Sequence, residues 1–141
     1  MDLVSAGAVH LMPGVENLLL GLKEHHVKRC VVTHSPNEFV SAVRKQNPLL
    51  NTIPNWVTRE HYCHPKPHPE CYLKAIEMFA KPDEKVIGFE DTPRGLRALM
   101  ETRAKPVLIC EAHYPEIPIF LKQGVLHFPS FSAISDQFSH V

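Results

Sequence analysis

No apolar run in the sequence approaches the roughly 20 residues that a membrane-spanning helix needs. The start of the chain lacks a basic segment followed by an apolar core, so a secretory signal is not expected either. Neither sign of charge dominates. Fifteen Lys and Arg balance fifteen Asp and Glu, which argues against a nucleic-acid partner or an acidic tail. The four cysteines, Cys30, Cys63, Cys71 and Cys110, form no C-x-x-C pair. Free, buried thiols in a reducing cytoplasm are the expected state. There is no internal repeat and no low-complexity tract.

What remains is an ordinary globular composition, 44% hydrophobic and 21% charged, in a length that fits one domain. Helical and strand periods alternate, which predicts an α/β fold with a parallel sheet. After the break at Met12-Pro13-Gly14, the spacing of Val15, Leu18, Leu19 and Leu22 predicts a helix to about His26. Arg29 to Val32 is a short apolar run that reads as a buried strand ending at Thr33-His34-Ser35. Ser35-Pro36-Asn37-Glu38 has the form of a capping box opening a helix to about Lys45. A loop, a short strand at Trp56-Val57-Thr58 and an irregular stretch from His61 to Pro69 follow. Beyond them lie a helix carrying Tyr72, Ala75, Ile76 and Phe79 on one face, a strand over Lys85 to Phe89, and a helix from about Arg94 to Thr102. A strand over Pro106 to Cys110 precedes a tail with a helix, a short strand at Val125-Leu126-His127 and a final turn of helix.

Ligands of open parallel sheets bind beyond the carboxyl ends of the strands. Three polar groups fall there: Thr33 with Ser35, Lys66, and Glu90 with Asp91. A hydroxyl and backbone N–H groups at a helix start suit an anion. A lysine supplies a point charge for phosphate. Paired carboxylates suit Mg²⁺, a hard cation. Singly, each group has a plainer role: a helix cap, a solvated charge, an N-cap and turn. Their order and common position raise the functional reading.

These stretches carry a resemblance. Val31-Val32-Thr33-His34-Ser35 resembles the second motif of the haloacid-dehalogenase-like hydrolases. Lys66-Pro67-His68-Pro69-Glu70-Cys71-Tyr72 is similar to the Lys-Pro-x-Pro-x-x-Tyr form of their third, and Gly88-Phe89-Glu90-Asp91-Thr92-Pro93-Arg94-Gly95 to their fourth. Met12-Pro13-Gly14-Val15 matches the entry to the helix before motif two. Residues 12 to 110 are covered, in a form similar to the β-phosphoglucomutase and phosphoglycolate-phosphatase branch. The resemblance implies a Rossmann-like sheet with helices on both faces and a Mg²⁺-dependent phosphatase or phosphomutase acting on a small phosphorylated metabolite in the cytoplasm. It implies that Thr33, helped by the His34 amide, binds the phosphoryl group. Lys66 would then neutralise phosphate and nucleophile, and Asp91 with Glu90 would hold the metal.

One motif is missing. The family's Asp-x-Asp-x-Thr, whose first Asp attacks phosphorus and whose second is acid and base, does not occur in this sequence. Its strand lies between those of motifs two and four in the family. Residues 1 to 12 therefore read as the end of a helical cap, and residues 13 to 141 as a partial core lacking its central strand. That reading predicts marginal stability, and self-association or pairing with an upstream segment through the sheet edges. Catalysis by this chain alone is not expected, and a non-catalytic remnant that binds phosphate or a partner is the alternative. A minor alternative is a zinc site drawn from His61, Cys63, His64, His68 and Cys71.

Overall fold

A computed structural model describes residues 14–134. The residues read as a cap remnant lie outside this range. Helices α1 (Val15–Glu24), α2 (Asn37–Gln46) and α3 (Glu70–Phe79) alternate with strands β1 (Cys30–Val32) and β2 (Asn55–Val57). Strands β3 (Ile87–Glu90), β4 (Lys105–Ile109) and β5 (Leu126–Phe128) alternate with α4 (Pro93–Met100) and α5 (Ile117–Lys122). Short 3₁₀ turns lie at Pro48–Thr52, Arg59–His61 and Phe131–Ala133. No helix among the described residues is long and apolar enough to cross a membrane.

Every strand pairing is parallel, as the alternation predicts. The strands fall into two hydrogen-bonded sheets among the described residues, β1–β2 and β3–β4–β5. The division lies between the strands of the second and fourth motifs. Side-chain packing joins the sheets on both faces. On one face Val15 and Leu19 of α1 and Val43 of α2 pack with Val31, Val107, Ile109 and Phe131. On the other, Val32 and Val57 pack with Cys71, Tyr72 and Ala75 of α3 and with Ala98 and Leu99 of α4. Period-two alternation places neighbours of one strand in different clusters: Val107 and Ile109 in the first, Leu108 and Cys110 with Phe120 and Val125 in a third. Val107, Leu108 and Ile109 are at most 1% exposed, and each such burial stabilises by about 1.5–3 kcal/mol.

Gly14 opens α1 at φ +86°, and a Cβ there would overlap the backbone nitrogen of Ser132. Only glycine meets both conditions.

The predicted elements are present with shifted ends, and two local readings are corrected. Ser35 does not cap α2, nor does Glu38 complete a box, because the residue before the helix is Pro36 and no side-chain cap comes from it. The Ser35 N–H instead donates to Thr33 Oγ1 at 3.1 Å. The Asn37 N–H donates to the Glu60 carboxylate at 3.0 Å. The cysteines are all free, but Cys63 is exposed and Cys30 only half-buried.

Candidate functional site

Thr33 stands one residue past β1 and is buried at 8% exposure. Its N–H donates to the Val57 carbonyl at 2.9 Å, which prolongs the β1–β2 ladder. Its hydroxyl accepts from Ser35 N–H, so the site side of this turn is fixed by short-range bonds. The adjoining His34 is exposed, and its Nδ1 lies 2.8 Å from the Tyr62 hydroxyl. That hydroxyl lies 3.3 Å from the Thr33 carbonyl. One arrangement satisfies all three groups: Tyr62 donates to the carbonyl and accepts from His34 Nδ1–H, so a neutral imidazole keeps an acceptor at Nε2. Burial pushes the Tyr62 phenol up to about 12, so it stays protonated.

At the end of β3 a buried ion pair forms. Lys66 Nζ donates to Glu90 Oε1 at 2.5 Å, with side chains 14% and 2% exposed. The Tyr72 hydroxyl donates to the same oxygen. The Lys66 ammonium sits 5.0 Å from the centre of the Tyr72 ring. Burial alone would raise the Glu90 pKa. Positive charges around the carboxylate, that of Lys66 among them, and the hydrogen bonds from Lys66 and Tyr72 together oppose burial, and the net shift is downward. Burial likewise disfavours the Lys66 ammonium, and the Glu90 charge outweighs it, holding the lysine above its usual range. The Tyr72 phenol is raised well above its ordinary value, first by burial and then by Glu90.

Gly95 makes room for this pair. A Cβ at residue 95 would overlap Glu90 Oε2. The Gly95 N–H donates to Thr92 Oγ1 at 3.2 Å, so Thr92 caps α4 with Pro93 at its first position. Asp91 lies between the end of β3 and this cap, half-buried. Burial and the Asp91 charge together raise the Cys110 thiol pKa.

The structure thus joins Lys66 directly to Glu90, and Asp91 follows Glu90 on the chain. Thr33 and His34 end the neighbouring sheet, with Tyr62. Tyr62, Tyr72 and Val32 share one apolar cluster, which ties the two strand ends together. Sequence reasoning missed the roles of Tyr62 and Tyr72. Tyr72 carried a signal, being the tyrosine of Lys-Pro-x-Pro-x-x-Tyr, whereas Tyr62 carried none.

The five residues considered for zinc do not assemble. His61 Nδ1 accepts the Thr58 N–H at 2.8 Å, and Cys71 is fully buried in the core. Among the described residues, the cluster of metal-binding side chains is instead His64, His68 and Glu70.

Parallel sheets covered on both faces, with Thr33, Glu90 and Asp91 at carboxyl ends of strands and Lys66 brought against Glu90, form an α/β architecture of the kind that binds ligands beyond the strand ends. The chain belongs to the haloacid dehalogenase-like hydrolases, whose family pattern matches residues 3–108. It is 23% identical over 111 residues to Protein CbbY of Rhodobacter capsulatus, covering 77% of this chain and 49% of that protein. The chain therefore spans about half the length of this curated relative. Among solved structures, β-phosphoglucomutase from Clostridium difficile superposes with a TM-score of 0.71 at 22% identity, over 88% of this chain and 52% of that one. A CbbY mutant from Rhodobacter sphaeroides in complex with xylulose-(1,5)bisphosphate gives a TM-score of 0.75 at 22% identity, over 92% and 58%. At these identities the structural likeness establishes the fold.

Proposed function

We propose that this chain carries the phosphate-binding, charge-neutralising and metal-binding part of a phosphohydrolase site for a small phosphorylated metabolite. The observation that supports this most is the buried Lys66–Glu90 pair at a strand end beside Asp91. A lysine held charged in a half-buried place is kept ready for a phosphoryl group or a carboxylate nucleophile. Glu90 and Tyr72 position it. Thr33 offers its hydroxyl proton and His34 its backbone N–H to phosphoryl oxygens, since the N–H groups of Thr33 and Ser35 are already bonded to the Val57 carbonyl and to Thr33 Oγ1. The donors at the β3 end are carboxylate oxygens, which fit Mg²⁺. Asp91 would be its first ligand, because Glu90 Oε1 is shared by Lys66 and Tyr72. When bound, the metal would supply charge screening for phosphoryl oxygens. A sugar phosphate is the favoured substrate class, in line with the bisphosphate held by the CbbY relative.

Without Asp-x-Asp-x-Thr in the sequence, these 141 residues bind phosphate and do not turn it over. The test combines hydrolysis of p-nitrophenyl phosphate with titration of inorganic phosphate, both in Mg²⁺. The expected result is phosphate binding that Lys66→Met abolishes, with hydrolysis no faster than buffer. Hydrolysis lost in Lys66→Met would retain the phosphohydrolase and overturn the inactivity. Absence of both binding and hydrolysis would overturn the site itself. The missing motif also favours a second reading, a non-catalytic phosphate-binding module. The intact mass in the source cells separates the two. A species well above 16.0 kDa containing these peptides favours an active parent, and one at that mass favours the module.

A further inference from the structure

The segment His64-Pro65-Lys66-Pro67-His68-Pro69-Glu70 has two sides. Lys66 turns inward to Glu90. His64 and His68 lie on the exposed side, their rings stacked 4.8 Å apart between centroids. One donor atom each from His64, His68 and Glu70 lie within 4.8 Å of one another. His64 and His68, with Pro65, Pro67, Pro69 and Glu101, line an open cleft of about 530 Å³.

We propose that His64, His68 and Glu70 form a surface site for a borderline divalent transition metal such as Zn²⁺, separate from the carboxylates at the β3 end. The donor set is two imidazoles and one carboxylate, which suits Zn²⁺, Ni²⁺ or Cu²⁺ rather than Mg²⁺. Three protein ligands leave positions for water. Ligands at the usual zinc distances of about 2.0–2.1 Å stand roughly 3.3 Å from one another in a tetrahedron. The observed donors need only a modest closure to reach that. Glu70 is the fixed member, since its Oε1 accepts the Cys63 N–H at 2.6 Å and its Oε2 lies 2.5 Å from His64 Nδ1. The His64 side chain, 66% exposed, is free to adjust. His68 Nδ1 accepts the Glu70 N–H at 3.1 Å, so ligation turns that ring out of one hydrogen bond. That loss makes the site moderate in affinity rather than tight. Without metal, the same His64–Glu70 contact is an ordinary surface pair.

The test titrates the metal-stripped full chain with ZnCl₂ by calorimetry and follows histidine ring nitrogens by NMR. The expected result is one equivalent bound, with the His64 and His68 ring nitrogens shifting together. His64→Ala and His68→Ala should each weaken binding about tenfold or more without lowering the melting temperature. Cys63→Ser should leave the affinity unchanged, and excess Mg²⁺ should not compete. The proposal is overturned by no saturable binding, by binding that survives in the double histidine variant, or by binding lost in Cys63→Ser alone.

Discussion

Two charged groupings share one proline-rich segment and differ in every physical respect. Lys66 points into the fold, where its partner Glu90 is 2% exposed and a second donor, Tyr72, shares the same oxygen. Two residues to either side, His64 and His68 point outward, and His64 meets Glu70 in contact with solvent. Burial separates them. A pair removed from water holds its protonation states and position, whereas a pair in water is screened and contributes little to stability. The inward group is therefore suited to neutralise a ligand's charge, and the outward group to rearrange around an ion.

The strongest way to break the contrast is to remove one inward partner. Glu90→Ala should cost about 3–5 kcal/mol by stranding the Lys66 charge, read as a lower denaturant midpoint. The double variant Lys66→Met with Glu90→Leu should recover most of it. Failure to recover would show that the pair matters through contacts other than its charges. Next in size, Gly95→Ala should cost about 1–3 kcal/mol by overpacking against the Glu90 carboxylate, and should lower phosphate affinity with it.

Acidity probes the same pair more gently. The Glu90 pKa is lowered, so its contribution is complete above the ordinary value of 4.5 and is lost as pH falls through the lower folded value. The Lys66 pKa is raised, so its contribution is complete below 10.5 and is lost only as pH rises through the higher folded value. Urea midpoints should decline at the acid end below pH 4.5, and Glu90→Gln should flatten that limb. The smallest effect belongs to the outward side. His64→Ala should leave the urea midpoint unchanged, and a clear loss would mean that the surface pair is structural.

The sequence pattern made the parallel α/β layers legible because helix and strand periods differ sharply and short apolar runs mark buried strands. Lys66, Glu90 and Asp91 were legible as candidates through the order of their motifs, but the contact between Lys66 and Glu90 spans 24 positions and no local pattern predicts it. The α2 start was misread for the same reason. Its N–H is satisfied by Glu60, 23 residues away, which a four-residue capping pattern cannot register. The metal-binding cluster was half legible. Five His and Cys crowd the stretch, but the turn at Thr58 takes His61 and the apolar face of α3 takes Cys71. Glu70 escaped notice as a ligand because it reads as a first-turn helix residue.

The cluster that seats α1 has a consequence for how the chain assembles during synthesis. Val15 and Leu19 pack with Val107, Ile109, Phe131 and Ile134, and Gly14 touches Ser132. The cover over this helix, begun by Val31, Val43, Leu50 and Ile53, is therefore completed only when Phe131 and Ile134 have left the ribosome. The other main cluster needs nothing beyond Ala104. Nascent chains should thus acquire the α3–α4 side first and remain open on the α1 side until residues 131–134 have emerged, which makes that side the one most in need of a chaperone.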